Sequence, residues 1–205
     1  IWIGTHLGGL NKLDIRTGTF THYLMEEGNP ETLPSNIVRD IAPYQDQLIV
    51  ATQNGVCLFN PQTGKCQQLF KDSKEGRKIA MVADVEVDNS GTLWIAATGE
   101  GIFSYRFDTN KLTNYRHDGT QAHSLSNNNV NNIMQDSKGN LWFSTSGSGL
   151  DLYRSATNDF ENFDKGKNGL VSDCIYDTQE SPVSGKLILI TLYRKFRPQE
   201  FEDVK

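Results

Sequence analysis

The chain has 205 residues, 37% of them hydrophobic and 22% charged, with a formal net charge of -5. This is a globular composition with enough apolar content for a sizeable core, and it excludes a chain that stays disordered for want of one. The acidic balance, with no cluster of Lys and Arg, excludes a nucleic-acid surface, because phosphate binding needs cations that release counterions.

From the N-terminus, an apolar cluster around Trp2 is followed by the pair Gly9-Leu10 and the turn "DIRTGTF", with Gly18 near its tip. A strand signal, "NIVRDIAPY", comes next, then the cluster around Ile49, the pair Gly55-Val56 and the turn "NPQTGKC" with Gly64. The order returns as "VADVEVD", Trp94, Gly101-Ile102 and "FDTNKL" with Asn110, and again as "NVNNIMQD", Trp142, Gly149-Leu150 and "SATNDF" with Asn158. A last copy opens with "DCIYDTQ" and reaches Ile188. The steps from Trp2 to Ile49, Trp94, Trp142 and Ile188 are 47, 45, 48 and 46 residues, a period of about 46.

Each copy is built from short β-branched and aromatic runs such as "LWIAA" and "IFSYR", which predict strands. Gly and Asn tolerate positive φ, so their recurrence in register predicts one tight hairpin made four times. Four strands per copy, with no helical period of useful length, predict an all-β fold: a β-propeller fragment of about four blades of four antiparallel strands. Three nearly complete copies with a partial unit at each end are fewer than most propellers close with, so the remaining blades of a longer parent are expected as partners. The chain also begins at Ile1, inside a motif and without Met, which fits a fragment. No apolar run approaches the roughly 18 residues of a membrane-spanning helix.

The stretches "DNSGTLWIAATGEGI" and "DSKGNLWFSTSGSGL" resemble the two-component regulator propeller repeat. The resemblance covers residues 1 to about 191. It implies the periplasmic sensor region of a bacterial hybrid two-component system, placed before a membrane span and a histidine kinase that lie outside this chain. It further implies an oligosaccharide as the small-molecule ligand, a homodimeric parent, and no cofactor. Residues 192–205, "LYRKFRPQEFEDVK", leave the repeat and resemble the start of the bacterial DNA polymerase III gamma/tau subunit. They are expected to be a non-propeller tail from a junction, the alternative being a divergent blade edge. Two rival functions stay open: a propeller enzyme, either a lyase similar to the streptogramin lyases or a glycan-active enzyme, and an intracellular propeller scaffold.

Comparison among the copies sorts residues by role. Trp2, Trp94 and Trp142 recur in phase and are expected to pack between blades. Asp40, Asp84, Asn132 and Asp173 are expected to recur in the innermost strand, bonding local backbone. The loops after the second and fourth strands of each copy share one face, the expected ligand surface. It carries the variable residues His6, Arg39, Glu100, His123 and Asn131, with Arg39, Ala83, Asn131 and Ser172 read as equivalent positions. Planar donors such as Arg39 and Asn131 suit sugar hydroxyls or carboxylates. No H-E-x-x-H, G-x-S-x-G or C-x-x-C is present, so neither a catalytic nor a metal site is expected. Cys57, Cys66 and Cys174 do not form a disulfide framework; Cys66 is expected opposite Phe59, with Cys57 only diagonal to it and unlinked.

Overall fold

The residues between turns are too short and too β-branched for helix, and strands are what form. A computed structural model describes residues 1–191 and the backbone of 199–200. Among the described residues the longest helix has four residues, α1 (Lys165–Asn168), and a single 3-10 turn spans Gly76–Lys78. By contact, the chain divides into two compact units, Ile1–Val87 and Asp88 onward.

In the first unit, β1 (Trp2–Gly4), β2 (Leu10–Asp14) and β3 (Thr19–Tyr23) form one antiparallel sheet. A second contains β4 (Val38–Tyr44), β5 (Gln47–Thr52), β6 (Gly55–Phe59) and β7 (Cys66–Gln68) in sequence order. The unit ends with β8 (Val82–Val87). In the second unit, β9 (Thr92–Ala97), β10 (Gly101–Arg106) and β11 (Lys111–Tyr115) pair antiparallel. A four-stranded sheet follows, β12 (Val130–Gln135), β13 (Leu141–Thr145), β14 (Leu150–Arg154) and β15 (Asp159–Phe163), and then β16 (Ile175–Glu180) with β17 (Leu187–Thr191). Of the segment expected as a tail, Gln199–Glu200 form β18 and pair with β17; the remainder lies outside the described residues. The four-strand antiparallel unit, repeated in sequence, is the propeller blade.

The turn chemistry is as the sequence required. Gly18, Gly64, Asn110 and Asn158 all have positive φ, between 52° and 73°. Gly101 and Gly149 open the third strand of their copies at φ 82° and 85°, and a Cβ on either would drive into the carbonyl of Tyr115 or Phe163 on the neighbouring strand. The same clash, with the Tyr23 carbonyl, holds at Gly9, whereas at Gly55 the positive φ of 104° alone favours glycine. Strands β9 and β13 are buried along their whole length, which accounts for their continuous apolar character.

The tryptophans pack between sheets. Trp2 meets Phe59 of the next sheet at 5.3 Å and Tyr23 at 5.7 Å between ring centroids. Trp94 meets Phe143 at 5.5 Å and Tyr153 at 4.9 Å, and Trp142 lies in a cluster with Phe163, Leu170, Ile175 and Leu189. Rings of this size bury roughly 150–250 Å² each, worth about 4–6 kcal/mol of transfer free energy. The D-x-x-G-x-L-W motif has a single physical basis. One oxygen of Asp88 accepts from the amides of Ser90 and Thr92, and the other from the Trp94 indole at 2.7 Å. Asp136 does the same for Lys138, Asn140 and Trp142. Burial raises the Asp136 pKa, but the bonds from Trp142, Asn140 and Lys138 outweigh it and hold the carboxyl below its ordinary value.

The repeated polar residues of the innermost strands have a longer reach than expected. Asp40 Oδ2 accepts from the amide of Val85 at 3.1 Å, and Asn132 Oδ1 from that of Thr178 at 3.0 Å. Each joins one innermost strand to the next, not to local backbone. In the last copy the equivalent residue is Asp177, because β12 and β16 carry the same register shift, at Asn131 and at Tyr176. Asp173 and Ser172 are therefore not the counterparts of Asn132 and Asn131: Asp173 precedes β16 and accepts from the Lys165 amide at 2.6 Å. The crossover into β16 is shorter than that into β12, which slipped the alignment.

Candidate functional site

The loops after the second strand and those after the fourth do share one end of the sheets. Backbone bonds tie them: Gly9 N donates to Asn36 O at 2.9 Å, Gly101 N to Asn128 O at 3.0 Å, and Gly149 N to Asp173 O at 2.8 Å. Two crossovers are built alike. Leu33 and Leu125 are buried plugs, Thr32 and Ser124 accept from the amides of Glu26 and Asp118, and Asn36 and Asn128 accept from those of Met25 and His117. Sequence reading missed this device, although Thr32-Leu33-Pro34-Ser35-Asn36 and Ser124-Leu125-Ser126-Asn127-Asn128 stand in register two periods apart.

The five expected site residues are divided between the units, His6 and Arg39 in the first and Glu100, His123 and Asn131 in the second. His6 is exposed in the loop between β1 and β2. Arg39 is the extra residue of a bulge in β4 and is exposed. Asn131 is the extra residue of the matching bulge in β12, yet its Nδ2 donates to the carbonyl of Ile175 at 2.7 Å, so it also braces the next strand. Glu100 is ion-paired with Arg116, whose guanidinium further donates to the Glu100 and Gly99 carbonyls. His123 is exposed, and its carbonyl accepts from Phe160 N at 2.9 Å, which sets it beside the outer strand β15 near its hairpin end and not at the loop end.

What does gather on the loop side of the second unit is a cleft of about 390 Å³. Its walls include Asp118, Gln121, Asp164, Lys167 and Asp173, with Ser126 and Asn162 toward the interior. Behind them Asp151, on β14, is fully buried. Its Oδ2 accepts from Ser126 N and Ser126 Oγ, both at 2.9 Å, and its Oδ1 from Asn162 Nδ2 at 2.7 Å. Burial pushes its pKa up to about 6, with the bonds from Ser126 and Asn162 and the charge of His117 acting in the opposite direction. The corresponding residues of the other copies are Asn11, Cys57 and Phe103, and that divergence just after the Gly-aliphatic pair was the available signal. Three carboxylates, Asp118, Asp164 and Asp173, face one Lys, so the cleft offers acceptors to hydroxyl or cationic groups and repels anions.

A larger cleft of about 620 Å³ lies at the other end of the sheets, among the turns near Asp88, Gly139 and Ser155, with Trp94, Tyr115 and Tyr153 in its walls. Asn158 Oδ1 there accepts from both tyrosine hydroxyls at 2.8 Å. Among the described residues, no group of three or more His, Cys, Asp or Glu side chains is arranged to hold a metal ion.

Residues 2–123 match the family model of the SMP-30/gluconolactonase/LRE-like region, and residues 124–147 match that of the two component regulator propeller. No curated protein matches the chain in sequence. Among solved structures, the chain is similar to the extracellular domain of BT3049 from B. thetaiotaomicron, assigned as a hybrid two component system, with TM-score 0.78 and 24% identity. For the corresponding domain of BT4673 from the same organism the TM-score is 0.73 at 22% identity. Both alignments cover 93% of this chain and 24% of the other, so the chain spans about a quarter of those domains. Virginiamycin B lyase from Staphylococcus aureus aligns over 100% of this chain and 66% of its own, with TM-score 0.64 and 13% identity. At these identities the likeness establishes the propeller fold.

Proposed function

The chain belongs to the SMP-30/gluconolactonase/LRE-like region family and bears the two-component regulator propeller repeat, and from that premise we propose that it is part of the ligand-binding sensor region of a bacterial hybrid two-component regulator. It works in the periplasm by binding, and the signal passes to a kinase outside this chain. Its partners are the remaining blades of the parent and a second copy of the parent.

The ligand is an oligosaccharide, held at the loop ends of the sheets. The observation that carries this reading is the cleft of about 390 Å³ that opens among those loops, lined with carboxylate, amide and hydroxyl groups. Its acidic balance favours a neutral, polyhydroxylated sugar over a uronate, since a carboxylate accepts from two hydroxyls but repels another carboxylate. His6 and Arg39 in the first unit, and Glu100 and Asn131 in the second, are proposed as further contacts at the loop ends of their own sheets, with His123 lower on the outer edge beside Phe160.

Titration calorimetry with neutral and uronate-containing oligosaccharides tests the proposal, on the complete sensor and on its Gln121→Ala and Lys167→Ala variants. The neutral ligand is expected to bind, and each variant to weaken it about tenfold, the loss of roughly 1.4 kcal/mol expected for a hydrogen bond to a charged or polar ligand group. Wild-type affinity in both variants overturns the assignment of the cleft. The family name and the likeness to virginiamycin B lyase favour a second reading, a propeller enzyme. Mass spectrometry of the ligand after prolonged incubation separates the two: cleaved or eliminated product means an enzyme, and unchanged ligand a sensor.

A further inference from the structure

The two thiols of the first unit stand closer together than strand register alone requires. Cys57 lies on β6 opposite Gln68, and Cys66 on β7 opposite Phe59, a diagonal pair on one face of the sheet. Diagonal positions are usually about 7–8 Å apart, beyond direct contact for short side chains. Here the sulfurs are 3.2 Å apart, the Cys57 thiol donating to Cys66. Both residues are reduced and buried, in a cluster with Leu33, Phe59 and Leu10. A small cavity of about 150 Å³, bounded by His22, Glu26, Thr32 and Gly64, has Cys66 but not Cys57 in its wall.

We propose that Cys57 and Cys66 are a redox pair that closes to a cross-strand disulfide when the protein meets a disulfide oxidant. A disulfide needs the sulfurs at about 2.05 Å, so they must approach by about 1 Å. The outer strand β7 has only three residues and bonds to β6 alone in its sheet, which makes it the element that can move.

The oxidant is the disulfide of an exchange protein or of a small dithiol. Cys66, reached through the cavity, attacks one sulfur of that disulfide as thiolate, forming a mixed disulfide and releasing the first thiol. Cys57 then loses its proton to solvent and attacks the Cys66 sulfur, expelling the second thiol. The two protein sulfurs are oxidised by one electron each and the two oxidant sulfurs are reduced. The order of the steps agrees with the thiols' environments. The hydrogen bond with Cys66, then burial, push the Cys57 thiol well above its ordinary value, so it stays protonated until the first step has been taken.

The consequence reaches the ligand-side loops. The Cys66 amide donates to Glu31 O at 2.7 Å and Lys65 pairs with Glu31 at 2.7 Å, so β7 also holds the crossover between β3 and β4. A covalent link between β6 and β7 fixes that crossover in place.

The test uses the whole chain, equilibrated with oxidised glutathione, then quenched and digested without reduction. Thiol titration in denaturant is expected to show one thiol left of three, intact mass to fall by two hydrogens, and the peptide map to join the segments bearing Cys57 and Cys66. The oxidised protein is expected to melt higher, and dithiothreitol to reverse each change. Three thiols remaining, a link through Cys174, or a persistent glutathione adduct on Cys66 overturns the proposal; none of these readings depends on a variant that must fold.

Discussion

The substitution Asp151→Asn should remove a pH dependence of stability that the wild-type chain carries. Asp151 is fully buried, and its carboxyl is raised from 3.8 to about 6 in the folded protein. At 1.36 kcal/mol per pH unit this is about 3 kcal/mol. The native state holds the proton more tightly than the unfolded chain, so between pH 4 and 6 the folded form carries more protons and stability falls as pH rises. Below pH 4 both states are protonated and the cost is absent; above pH 6 it is fully present and no longer changes. The amide introduced by Asp151→Asn cannot ionise, although it turns one donor toward Asn162 Nδ2, which already donates to the Ser124 carbonyl at 3.2 Å. The variant therefore shifts absolute stability by an offset that is independent of pH. Urea unfolding of both proteins from pH 4 to 7.5 isolates the effect, because other carboxylates cancel in the difference. The difference is expected to move by about 3 kcal/mol in favour of the variant as pH rises, most of it between pH 4 and 6. A difference flat to within about 0.5 kcal/mol would mean that Asp151 is ionised in the fold as readily as in the unfolded chain, and the argument from burial would fail.

Trp94→Ala and Trp142→Ala should each cost about 3–5 kcal/mol, because a large ring is removed from between two sheets and its indole no longer satisfies Asp88 or Asp136; thermal melts measure this. Arg39→Ala should leave the melting temperature nearly unchanged, whereas Asn131→Ala should cost about 1 kcal/mol through its lost bond to Ile175 O, so a binding defect in the latter must be corrected for stability. Gly149→Ala should destabilise by well over about 1 kcal/mol in chemical denaturation, since its positive φ and the neighbouring Phe163 carbonyl both oppose a Cβ.

The period of about 46 residues, the hairpins at Gly18, Gly64, Asn110 and Asn158, the packing role of the tryptophans and the pairing of Cys66 with Phe59 were all legible in the sequence. Each depends on residues a few positions apart: alternation along a strand, a residue able to take positive φ, a turn of known length. The shared end for the two sets of loops also followed, because antiparallel strands joined in order leave it no other place. What tertiary structure decided is whatever links groups a full period apart. That Asp40 reaches Val85 and Asn132 reaches Thr178, that Asp177 and not Asp173 is their counterpart, and that Asn131 is half committed to Ile175 depend on how one sheet lies against the next. The cleft and the buried Asp151 were decided there too, although the partners of Asp151 lie nearer in sequence, Ser126 at 25 residues and Asn162 at 11. A carboxylate in a strand reads as polar and exposed until the Ser126 loop and Asn162 close over it, and only that enclosure removes its water and raises its pKa. Solvent exclusion is a property of the whole packing, and short-range patterns in a sequence do not encode it.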